Sequence, residues 1–62
     1  MTNEEKAKIY DDLVRESDRL QRENSKIKSD FATNIPPQLQ ERINQNNVKI
    51  AQLVGRLEQL FR

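Results

Sequence analysis

The spacing of apolar residues is symmetric about Ile35, and this symmetry constrains the fold more than any other feature of the chain. On each side of Ile35, apolar and small polar positions alternate at intervals of three and four residues, the heptad spacing of a helix with one buried stripe. Every such position has a partner at the same distance on the other side. Two helices folded back at Ile35 would therefore meet in seven layers: Tyr10 with Leu60, Leu13 with Leu57, Ser17 with Leu53, Leu20 with Ile50, Asn24 with Asn46, Ile27 with Ile43 and Phe31 with Leu39.

Signals at the helix ends agree with this arrangement. Thr2 and Glu5 form a capping box, in which the Thr2 hydroxyl accepts from the backbone of Glu5 and the Glu5 carboxylate reaches back to the backbone of Thr2. Ile35 precedes a proline and should be extended, while Pro36 and Pro37 suit the first turn of a second helix. A single continuous helical rod would place Pro37 inside a helix, which costs about 3 kcal/mol.

We therefore predict an all-α fold, an antiparallel two-helix hairpin of coiled-coil type. It forms one domain over residues 1–62, with helix 1 at about 3–31, a turn at about 32–36 and helix 2 at about 37–62.

Residues beside the seam favour the same register. In an antiparallel pair, the charged positions that flank one side of the seam predict three ion pairs: Asp30–Arg42, Glu23–Lys49 and Glu16–Arg56. Within the seam, Asn24 and Asn46 fall in one layer. Paired amides can set register at a cost in stability, although this layer could instead be partly wet.

The other side of the hairpin is polar near the turn and apolar near the chain termini. We call its apolar part, which comprises the six residues named at the end of this paragraph, the apolar edge. A scaffold of this length has a net stability near zero, and this edge offers more apolar surface than one helix covers. We predict a homodimer that forms a four-helix bundle. In two alternatives, a helix of another protein docks there, or the side chains thicken the hairpin's own seam. The predicted protein-binding residues are Ala7, Tyr10, Val14, Val54, Leu57 and Phe61.

Catalysis is not expected, and neither is a metal or cofactor. The chain has no Cys and no His, and it has no Gly-rich phosphate loop, so the usual nucleophiles, tuned bases and metal ligands are missing. Lys and Arg number 11 against 10 Asp and Glu, which predicts no polyanion partner from charge alone. The polar start and the lack of a long apolar run predict a cytoplasmic location and no membrane association.

The function expected is a non-catalytic interaction or assembly module, a small adaptor, chaperone or regulator. Its register-setting residues would be Asn24 and Asn46. A close approach by another backbone could also use a small-residue stripe on helix 2: Val48, Ala51 and Gly55.

The alternative is a small nucleic-acid-binding regulator, because helix 1 carries an outer basic stripe: Lys8, Arg15, Arg19, Arg22 and Lys26. In length and hairpin pattern, the chain resembles the plasmid-encoded Rop family, whose members dimerise as two helical hairpins. It also resembles the short helical-hairpin chaperones of type III needle subunits. Both resemblances concern architecture, and no functional motif matches, so neither assigns a site residue.

Overall fold

The computed structural model describes the whole chain, Met1–Arg62, as two helices packed side by side. Helix α1 spans Asn3–Asp30 and helix α2 spans Pro37–Leu60. The hairpin is a slender rod with extents of 47 × 15 × 13 Å. The predicted all-α antiparallel hairpin is confirmed. Neither helix is long and apolar enough to cross a membrane.

Helix α1 begins with a side-chain cap. The Thr2 hydroxyl accepts a hydrogen bond from the Glu5 backbone N–H at 3.1 Å, as the capping-box motif predicts. The return contact differs from the prediction, because the Glu5 carboxylate accepts from the Thr2 hydroxyl at 3.2 Å rather than from its backbone. Glu4 and Glu5 also lie in the first turn, where the helix dipole favours negative charge.

The turn between the helices needs no left-handed residue, since no residue in the chain has a positive φ. The Phe31 N–H closes α1 by donating to the Ile27 carbonyl at 3.0 Å. Pro36 has φ −58° and ψ 145°, and its carbonyl accepts from the backbone of Gln40 at 2.9 Å as α2 begins. Proline therefore starts the second helix without an unpaired N–H.

The core is small and follows the predicted seam. Only six of the 62 residues are buried, and all six occupy predicted seam positions. Three of them are apolar and three are polar; among the polar three, Asn24 and Asn46 are hydrogen-bonded across the seam, whereas Ser17 accepts from Gln21 of its own helix. The six residues are Leu13, Ser17, Leu20, Asn24, Ile43 and Asn46.

Candidate protein-binding surfaces

The apolar edge begins with an aromatic pair at the open end of the hairpin. The rings of Tyr10 and Phe61 lie edge to face, with centroids 5.8 Å apart and an interplanar angle of 69°. Together with Ala7, they line a shallow hollow of about 430 Å³. Phe61 nonetheless remains 69% exposed, because one neighbouring ring covers only part of its surface.

The rest of the apolar edge lies further along the seam. Val14 and Leu57 are half-buried, whereas Val54 is 43% exposed. The structure therefore brings Ala7, Tyr10 and Phe61 into one hollow. It leaves Val54 facing outward, where the hairpin's own seam does not cover it.

The Asn layer is hydrogen-bonded across the seam. The Asn46 side-chain amide donates to Asn24 Oδ1 at 2.9 Å, and the Asn24 amide donates to Asn47 Oδ1 at 3.0 Å. Asn46 also donates to Glu23 Oε1 at 2.9 Å. No buried side-chain polar atom lacks a partner. The Asn layer is therefore a connected hydrogen-bond network, as the paired amides allow, and its role in setting register remains a prediction.

Glu23 joins this network to an interhelical ion pair. Arg42 Nε donates to Glu23 Oε1 at 2.5 Å, and a second guanidinium nitrogen of Arg42 donates to Oε2 at 3.3 Å. Hydrogen bonds from Arg42 and then from Asn46 favour the charged carboxylate and lower the pKa of Glu23 to about 2. The same contact raises the pKa of Arg42. The sequence pattern alone did not indicate that the Glu23 carboxylate of α1 accepts hydrogen bonds from both Arg42 and Asn46 of α2.

The predicted ion pairs are wrong in their partners. Arg42 pairs with Glu23 rather than with Asp30, and Asn46 of α2 donates to the same carboxylate. Glu16 pairs with Arg19 on its own helix at 2.5 Å, and this hydrogen bond lowers the pKa of Glu16. Neither Lys49 nor Arg56 forms an ion pair.

On this charged side, α2 borders the largest concavity of the molecule, which we call the basic groove. It has a volume of about 630 Å³. Buried Leu20 and half-buried Leu53 supply its apolar surface, and Gly55 leaves space beside the helix, since a Cβ there would meet nothing within 4 Å. Its charged residues are Glu16, Lys49 and Arg56.

The outer faces carry less organised chemistry. Val48, in the predicted small-residue stripe, is 58% exposed. In the basic stripe, Arg19 is engaged by Glu16, which reduces the positive charge available to a phosphate backbone. No group of acidic side chains is arranged to hold a metal ion.

Comparison with known proteins finds no matching family, no matching curated protein and no matching solved structure. The functional assignment therefore depends on the surfaces themselves.

Proposed function

We propose that this chain is a non-catalytic assembly module, a helical hairpin that associates with a second copy of itself through the apolar edge. The observation that carries the proposal is the contrast between the core and this edge. Three apolar residues are buried in the whole molecule, while Tyr10, Val54 and Phe61 remain substantially exposed on one side.

A second copy suits this surface because none of the six residues of the apolar edge carries a charge. A two-fold axis places the same patch of both subunits in contact. Lys6 also lines the hollow, and its charged end can stay in solvent at the rim while the uncharged side chains meet. The apolar part lies at the open end, so the two open ends would lie side by side. The resulting four helices would bury Phe61 and Val54 more completely than one hairpin can.

Sedimentation equilibrium over a hundredfold concentration range tests the proposal. We expect the wild-type chain to form a reversible dimer. The double substitution Val14→Glu with Phe61→Glu places carboxylates within the contact, where an unpaired buried charge is strongly unfavourable. This variant should sediment as a monomer while retaining most of its helical circular dichroism.

A matched pair of single variants locates the contact. Val54→Glu and Val48→Glu make the same change on the same helix at exposed valines, but only Val54 belongs to the apolar edge. We expect Val54→Glu to weaken dimerisation and Val48→Glu to leave it unchanged. A wild-type monomer at every concentration, or equal effects of the two variants, would contradict self-association through this edge.

A further inference from the structure

The basic groove lies on the side of the hairpin opposite the apolar edge, so it stays open when two copies associate as proposed. Leu53 supplies its accessible apolar side chain, since Leu20 beneath it is only 2% exposed. Its cations come from Lys49 and Arg56 of α2, and Glu16 of α1 is its acidic residue. These two cations are seven residues apart, which corresponds to about 10.5 Å along an α-helix.

The two cations lack partners for different reasons. Lys49 lies close enough to contribute to the lowered pKa of Glu16, but the Glu16 carboxylate is already bound by Arg19. Arg56 lines a neighbouring hollow beside Ile9, where no acidic residue contributes to the wall. Neither Lys49 nor Arg56 therefore forms an ion pair within the chain, and the Glu16 carboxylate beside them is bound by Arg19.

Gly55 adds space at the same place. A glycine inside a helix costs about 1 kcal/mol relative to alanine, and packing within the hairpin does not require it, because the space around it is empty. Beside Leu53 and between the two cations, this space allows another backbone to approach α2 closely.

We infer that the basic groove docks an acidic amphipathic helix of another protein. Two carboxylates seven residues apart on that helix would pair with Lys49 and Arg56. Apolar side chains between them would cover Leu53 and the space beside Gly55. Helix-in-groove recognition combines apolar anchors with charged positions in this way, and complementary charge selects the partner.

Selection from a displayed library of helical peptides tests the inference without assuming a partner sequence. The wild-type chain is the target, and the double variant Lys49→Glu with Arg56→Glu serves for counter-selection. We expect the selected peptides to carry acidic residues at seven-residue spacing beside apolar positions. Their affinity should fall at least about tenfold on the double variant, as expected for the loss of closely paired charges.

Two control variants separate the groove from general effects. Arg22→Glu with Lys26→Glu makes the same change in net charge on the outer stripe of α1, so it should leave peptide affinity unchanged. Gly55→Leu places a large side chain at the groove, and its Cβ would meet no atom within 4 Å. It should therefore abolish peptide binding while leaving the helical signal intact.

The Val14→Glu with Phe61→Glu variant keeps this test distinct from that of self-association, since it should be monomeric and still bind the selected peptides. Selection of no peptide, or of peptides without acidic spacing, would overturn the inference. The inference would also be overturned if the Lys49→Glu with Arg56→Glu variant were monomeric while the wild-type chain is a dimer. That result would mean that a second copy of the chain occupies the groove.

Discussion

Replacing the Asn layer with leucine tests how a buried polar network acts in a core of six residues. Leucine has the same branched connectivity and the same number of non-hydrogen side-chain atoms as asparagine, although its two methyl groups occupy more space than the amide oxygen and nitrogen. Asn46→Leu removes the donor to Asn24 Oδ1, and Asn24→Leu removes one acceptor of the Asn46 amide. Asn46→Leu therefore leaves Asn24 Oδ1 without a donor, whereas Asn24→Leu leaves the Asn46 amide with Glu23 as its remaining acceptor. The double variant leaves neither group in the seam.

The magnitudes predict that the two substitutions are coupled. An unpaired buried polar atom costs about 1–3 kcal/mol, and a fully buried leucine contributes at most about 1.5–3 kcal/mol. Each single variant should therefore change the free energy of unfolding only slightly. The double variant gains two leucines and loses three hydrogen bonds of roughly 1 kcal/mol each. The difference predicts a double variant that is more stable than the wild-type chain by up to about 3 kcal/mol.

Urea unfolding followed by circular dichroism at one fixed protein concentration measures the four proteins of this cycle, because association would otherwise shift the midpoints. We expect a coupling energy of at least about 1 kcal/mol, as for other residues in direct contact. Sedimentation should show that the double variant populates more than one association state, since the register-setting pair is lost. Additive effects of the single variants, or a double variant less stable than wild type, would refute the reasoning.

Three further predictions concern single positions. Gly55→Ala should raise the free energy of unfolding by about 1 kcal/mol in denaturant melts, because the added methyl group meets no atom; a loss of stability would show that the space is needed. Thr2→Ala should lower the free energy of unfolding by about 1 kcal/mol through loss of the α1 cap. An unchanged melt would contradict a stabilising role of this cap. The Glu23 carboxylate, whose pKa falls from 4.5 to about 2, should stabilise the hairpin fully above about pH 4.5, with this contribution lost as the pH falls through about 2. Melts of wild type and Glu23→Gln should therefore differ at neutral pH and converge near pH 2, and a constant difference would contradict this assignment.

The hairpin was predictable because one simple constraint governs it. Seam positions such as Leu20 and Ile43 must face each other, and a heptad spacing allows few ways to arrange them. The Asn24–Asn46 contact followed from the same layers. Backbone geometry and burial alone determine these contacts, so the sequence pattern is sufficient for them.

The charged contacts were not predictable in the same way. Arg42 has a long and flexible side chain that can reach more than one carboxylate, and in the structure it shares Glu23 with the Asn46 amide. The basic groove was also missed. Close approach of another backbone at Gly55 was predicted from the small-residue stripe, but the groove also depends on two cations without ion-pair partners, and hydrophobic spacing does not reveal that property.

The layered arrangement also has a consequence for the order of folding. Contacts near the turn join residues close in sequence, whereas the Tyr10–Phe61 contact joins residues near opposite ends of the chain. Closing a longer loop costs more entropy, so we expect the hairpin to close from the turn outward. Amides near Tyr10 should then exchange with deuterium faster than those near Asn24. Since the apolar edge lies at this last-formed end, a bound second copy would slow exchange there most, and that protection would report its occupancy.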